Sequence, residues 1–158
     1  MTATLTLHVQ VNGRSYEREV EPRRTLADFL REDLGLKGTH LACEHGFCGS
    51  CNVLVDGEAV RSCLMFAIQA RGRSVETVES MAGSAGELGE LQQAFAEHHG
   101  LQCGFCTPAM LLTAQEFLRE NPGETDDRAI REAISGVICR CTGYQQIVEA
   151  IQSVAVER

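Results

Sequence analysis

The chain has 158 residues, enough for one domain or two very small ones and too few for a self-contained multidomain enzyme. Asp and Glu outnumber Lys and Arg by 22 to 14, and the resulting net charge of −8 argues against a nucleic-acid or anionic-membrane surface. The composition is 44% hydrophobic but only 5% aromatic, with no Trp and eight cysteines, so something other than a large core must hold the chain together.

The opening MTATLTLHVQ has no basic stretch followed by a hydrophobic run, so it does not read as a signal peptide, and no apolar run approaches a membrane span. A cytoplasmic location is expected, where thiols stay reduced and eight cysteines point to metal before disulfides. Leu5, Leu7, Val9 and Val11 alternate with polar residues as in a half-buried strand, and Asn12-Gly13 is a two-residue turn into a second strand ending near Val20. Thr25 with Asp28 opens a helix whose apolar face is Leu26, Phe29, Leu30 and Leu34, and Gly35 stops it. A strand over 53–55, a turn at Asp56-Gly57, a return strand through Val60 and a last short strand over 74–78 complete a small α+β domain, residues 1–79.

The run from Ser80 to Gly89 is a linker by composition, placed at 80–88. Its glycines at 83, 86 and 89 lack the preceding strand and the spacing of a phosphate loop. Residues 89–158 read as helical throughout. Leu88, Leu91 and Phe95 mark a first helix ended by Gly100, with His98 and His99 in its last turn as carboxyl-end caps. Thr107-Pro108 opens a second, bearing Met110, Leu111, Ala114, Phe117 and Leu118 and closed near Asn121-Pro122. Ala129, Ile130, Ala133 and Ile134 mark a third, and Ile147, Val148 and Ile151 a fourth, capped by Thr142 with Gln145. The expectation is four short helices in two hairpins.

The cysteines fall into two sets of four. Cys43, Cys48, Cys51 and Cys63 are spaced C-x4-C-x2-C-x11-C, and the glycines at 46 and 49 let the loop wrap a compact inorganic core with its amides turned inward. The first three follow the plant-type 2Fe-2S pattern. Structural zinc sites draw ligands from two separated knuckles, and a thioredoxin-like pair at Cys48 and Cys51 needs a following helix where NVLVDG reads as strand and turn. A Rieske centre needs a second Cys-His pair, which is missing, so His45 reads as a loop residue. Cys103, Cys106, Cys139 and Cys141 are spaced C-x2-C-x32-C-x-C, for which spacing alone leaves a zinc ribbon open. Placement favours a cluster, because both pairs directly precede a predicted helix whose free amides and positive dipole end suit an anionic centre. Two oxidised clusters at roughly two negative charges each would take the formal −8 to roughly −12.

In this order and spacing, CEHGFCGSC, QCGFCTP and CRCTGYQQIVEAI resemble the small iron-sulfur subunit of the xanthine dehydrogenase family of molybdenum hydroxylases, over essentially the whole chain. Within that family, the short Cys51–Cys63 separation and the stretch SCLMFAIQARG look most similar to separate-subunit enzymes of the aerobic carbon monoxide dehydrogenase type, which include dehydrogenases of aromatic N-heterocycles. The resemblance implies a plant-ferredoxin-like β-grasp domain followed by an all-α four-helix domain, each with one 2Fe-2S cluster. It further implies electron transfer from a molybdopterin centre in a large subunit, through the helical-domain cluster and then the first cluster, to FAD in a medium subunit. The assembly it implies is a dimer of heterotrimers, with Gln102 contacting the pterin. The chain departs from the family pattern at Ala109, usually glycine, and at Val137, usually asparagine. Neither change removes a cysteine. A free shuttle ferredoxin and a zinc-stabilised interaction module are the competing readings, and the substrate belongs to the large subunit.

Overall fold

Alternation writes the first hairpin in the computed structural model, which describes residues 3–83 and 86–156. Leu7, Val9 and Val11 are buried on one face of β1 (Leu5–Val11) while His8 and Gln10 face outward. Asn12 and Gly13, at φ 50° and 75°, form the two-residue turn, and β2 (Arg14–Val20) returns antiparallel with Val11 opposite Arg14. The Thr25 hydroxyl accepts the Asp28 amide at 3.0 Å and so caps α1 (Leu26–Asp28). The same helix then widens into a π turn over Phe29–Asp33, with the Leu34 amide donating to Phe29 O at 3.1 Å. Gly35, at φ 72°, ends it as expected.

Asp56 and Gly57 turn β3 (Asn52–Val55) into β4 (Glu58–Arg61). β5 (Ser74–Glu76) enters between β1 and β3, parallel to the first and antiparallel to the second, giving a mixed sheet of order β2-β1-β5-β3-β4. This last strand is two residues shorter than its sequence predicts. Thr77 leaves the ladder because Asn12 takes it in both directions: its amide donates to Asn12 Oδ1 and its hydroxyl accepts from Asn12 Nδ2, each at 2.8 Å. Val78–Ser80 becomes a 3-10 turn, and Val78 packs on the helical core instead.

Beyond Gly89 the described residues form α2 (Glu90–Glu97), α3 (Thr107–Glu120), α4 (Asp127–Ile134) and α5 (Gln145–Val156) around Phe95, Met110, Leu118, Ile130, Ile147 and Ile151. Their pairing differs from two sequential hairpins. α2 packs chiefly on the last helix, α5, while α3 lies against α4 and also crosses onto β3. Three local expectations also change. Leu88 is exposed ahead of α2 and takes no place on its buried face. The left-handed residue closing α2 is His99 (φ 55°) after the C-cap His98, and the Gly100 amide donates to Phe95 O at 2.8 Å. Thr142 and Gln145 form no capping box: the Thr142 hydroxyl accepts the Tyr144 amide at 3.1 Å, and Gln145 takes Arg131 at 2.6 Å. The composition-based linker includes Ser84 and Ala85, which lie outside the described residues, as do 1–2 and 157–158 of the expected domain spans. Among the described linker residues, the Gly83 amide donates to Glu87 O at 2.8 Å.

All four residues of β3 are buried because both of its faces are covered. Val53 and Val55 face the α1 side, and the alternate positions Asn52 and Leu54 face α3. The seam between the halves is polar: Asn52 Nδ2 donates to Thr113 Oγ1 at 3.0 Å, the Ala59 amide to Glu116 at 2.7 Å, and Arg119 to Gly57 O. Thr113→Val keeps the shape but leaves a buried amide hydrogen without its acceptor. The expected cost is about 1–3 kcal/mol in denaturant unfolding. A loss below a few tenths would mean that water replaces the hydroxyl.

Candidate metal centres

The first thiol group is built by a strained loop and a hairpin. Between Cys43 and Cys51 the backbone turns left-handed at Glu44 (φ 52°), Gly46 (81°) and Gly49 (75°), which folds the loop back on itself. The Cys48 amide consequently points at Cys43 Sγ, 3.3 Å away. That amide first, and the His45 amide second, hold the Cys43 thiol down to about 6. Cys51 precedes β3 and Cys63 follows β4, so the Asn52–Arg61 pairing sets these two side by side; the Ser62 hydroxyl clips them by donating to Cys51 O at 2.6 Å. Burial pushes the Cys51 thiol up to about 11, the Cys63 backbone amide opposing the shift and the Cys63 thiol adding to it. His45 turns its Nδ1 to Cys43 O at 2.5 Å, as a loop residue should.

The second group gathers at helix starts. Cys106 is the N-cap residue of α3, and Cys139 and Cys141 lie just before α5. Cys103 and Cys141 are paired, with sulfurs 3.5 Å apart. Burial pushes Cys106 up to about 12, and the adjacent Cys139 adds to it. Cys103 is lowered, first by the Phe105 amide and then by Cys141. Burial raises Cys139, but the Thr142 hydroxyl, 3.2 Å from its sulfur, leads the hydrogen bonds that bring it below its ordinary value. The Tyr144 hydroxyl accepts the Cys139 amide at 2.9 Å and donates to Val137 O at 3.4 Å. Gln102 is exposed in the bend before Cys103, whereas Ala109 and Val137 are fully buried.

The two loops cross. The Ile138 amide donates to Cys48 O at 2.9 Å, so one hydrogen bond joins a cysteine of the first group to the neighbour of Cys139. Gly49 is where they touch, since a Cβ there would lie 2.2 Å from Gly136 O. Arg61 spans the crossing, donating to Gly46 O (3.2 Å), Asn52 Oδ1 (2.6 Å) and Gly136 O (2.7 Å). His40 Nδ1 donates to Phe105 O at 2.7 Å, and its ring stacks on Phe105 at 4.9 Å. Sequence reasoning missed Arg61 and His40, which lie in no cysteine motif, and it read Gly49 only as a turn.

All eight cysteines are free of disulfides, and the contacts gather them as pairs: Cys43 with Cys48, Cys51 with Cys63, Cys103 with Cys141, and Cys106 with Cys139. Two pairs per group fit two irons, each held by two thiolates. Among the described residues, no three His, Cys, Asp or Glu side chains are arranged to hold a single metal ion. A hollow of about 710 Å³ beside Asn12 and Ser74 is lined by no cysteine. No helix among the described residues is long and apolar enough to cross a membrane.

With this geometry in view, comparison with known proteins defines the class. A 2Fe-2S iron-sulfur cluster binding domain matches residues 9–82, and a second [2Fe-2S] binding domain matches 77–152. The chain is 55% identical to caffeine dehydrogenase subunit gamma of Pseudomonas sp. (strain CBB1), covering 94% of this chain and 90% of that one. It is also 55% identical to the nicotine 6-hydroxylase small subunit of Paenarthrobacter nicotinovorans, covering 92% and 86%. Its fold matches quinoline 2-oxidoreductase of Pseudomonas putida 86 with a TM-score of 0.92 at 49% identity, over 97% of this chain and 93% of that one. It matches the aldehyde oxidoreductase of Desulfovibrio desulfuricans with a TM-score of 0.91 at 35% identity, over 96% of this chain but 17% of that one. The chain belongs to the small 2Fe-2S iron-sulfur subunits of the xanthine dehydrogenase family of molybdenum hydroxylases.

Proposed function

We infer that Cys43, Cys48, Cys51 and Cys63 hold one 2Fe-2S cluster, that Cys103, Cys106, Cys139 and Cys141 hold another, and that the chain carries electrons without itself catalysing substrate oxidation. The direction we assign is from a molybdopterin centre in a large subunit, by the helical-half cysteines and then the sheet-half cysteines, to FAD in a medium subunit. Its setting is a cytoplasmic dimer of heterotrimers, with residues 1–79 and 89–158 as the two cluster domains and 80–88 between them. When bound, a 2Fe-2S cluster takes up or releases a single electron. The observation carrying this reading is the loop crossing, where Ile138, beside Cys139, hydrogen-bonds Cys48.

The chain's own residues do the rest. The Cys48 amide, 3.3 Å from Cys43 Sγ, and the Thr142 hydroxyl, 3.2 Å from Cys139 Sγ, stabilise thiolate charge at those sulfurs. Cys106, at the N-terminus of α3, meets the positive end of the helix dipole. The pterin contact we assign to Gln102, whose side chain is exposed just ahead of Cys103. Caffeine, nicotine and quinoline, which name three of the similar proteins, are all N-heterocycles, and a dehydrogenase of such compounds is the complex we assign.

Metal and sulfide analysis tests this directly. The purified protein is expected to be red-brown, with about four iron and four sulfide per chain. Two zinc ions with no sulfide would overturn the reading.

A further inference from the structure

Arg61 ends β4 beside Cys63 and sends the three nitrogens of its guanidinium in three directions. One donates to Gly46 O of the first cysteine loop, one to Asn52 Oδ1 on β3, and one to Gly136 O, three residues before Cys139. All three partners are neutral oxygens, so none of them cancels its charge. The side chain is half-buried, and the chain around it is strongly acidic overall. The packing leaves the clamp no slack. A Cβ on Gly136 would stand 3.0 Å from Arg61 Nη2, and one on Gly49 would stand 2.2 Å from Gly136 O.

From these contacts we propose that Arg61 is a positioning residue for electron transfer between the two cysteine groups, fixing their separation and placing one positive charge between them. The proposal rests on both groups holding 2Fe-2S clusters. The step it serves moves one electron, one centre losing what the other gains, with no proton or further reactant. A rigid planar fork suits this place because a lysine ammonium, a point donor on a flexible stem, cannot hold three oxygens so far apart. A positive charge between two anionic centres favours the reduced form of each, since reduction adds negative charge.

Position and charge are separable by two variants in the assembled complex. Arg61→Lys keeps the charge and loses the span; Arg61→Gln loses both. With iron and sulfide content unchanged, both variants are expected to alter the magnetic splitting between the two reduced centres in electron paramagnetic resonance. Both should also slow equilibration between the centres after one-electron reduction, on the order of tenfold, as small misplacements do. Only Arg61→Gln should lower both midpoint potentials. Hydrogen exchange of the segment 136–140 supplies a measurement independent of the metal, and it should quicken in Arg61→Lys. Unchanged splitting, equilibration and exchange in an iron-replete Arg61→Lys complex would overturn the clamp while leaving the proposed function standing. Zinc in the unaltered chain would overturn both.

Discussion

Replacing Cys106 by serine is expected to stop turnover with a flavin-linked acceptor while substrate still reduces molybdenum in a single turnover. Cys106 is buried at the N-cap of α3 and packed against Cys139, so its loss removes one thiolate of a pair without touching Cys43, Cys48, Cys51 or Cys63. The signal of the first group should therefore survive and that of the second should collapse. Stopped-flow absorption of the assembled complex separates the events, because molybdenum, iron-sulfur and flavin reduction are followed at different wavelengths. Flavin reduced at the normal rate, in a complex shown to lack the second cluster, would put that cluster off the path and overturn the assigned order.

Gly49→Ala should cost the most stability of any single methyl added to the chain's glycine turns. The left-handed backbone at φ 75° disfavours alanine by about 1 kcal/mol. The added carbon also meets backbone atoms, Gly136 O at 2.2 Å and Val137 Cα at 2.9 Å, which cannot rotate aside as a side chain can. Relief requires the loops to part, stretching the Ile138–Cys48 hydrogen bond and the Arg61 contact with Gly136, a further loss of about 1–3 kcal/mol. For a chain of this size the sum lowers the unfolding midpoint by roughly 4–16 °C. Gly13→Ala is the internal control: it has the same φ of 75° but nothing within 4 Å of the new Cβ, so it should lose only the conformational part. Equal losses in the two variants would mean that the crossing yields without cost.

Much of this protein is legible along the chain because its signals are local. The β1–β2 hairpin follows from alternation and Asn12-Gly13, α3 from Pro108 and its apolar spacing, and the two cysteine sets from short motifs that no ordinary core needs. The partition of the cysteines into halves follows from the cysteine-free stretch between them. Two local expectations failed where a distant residue competed. Thr77 left its strand for Asn12, and Gln145 left its cap for Arg131.

Only the tertiary structure decided how the halves meet. Nothing in the spacing of the cysteines says that Cys48 O accepts the Ile138 amide, that α3 covers the second face of β3, or that Gly49 must lack a side chain because Gly136 lies against it. Arg61 makes the same point. Its three acceptors come from residues 9, 15 and 75 positions away, and in the sequence it is one arginine among thirteen. Composition and periodicity report which residues each turn or strand buries. The relation between the two thiol groups depends on backbone contacts at a crossing, and those exist only once both halves are folded and packed.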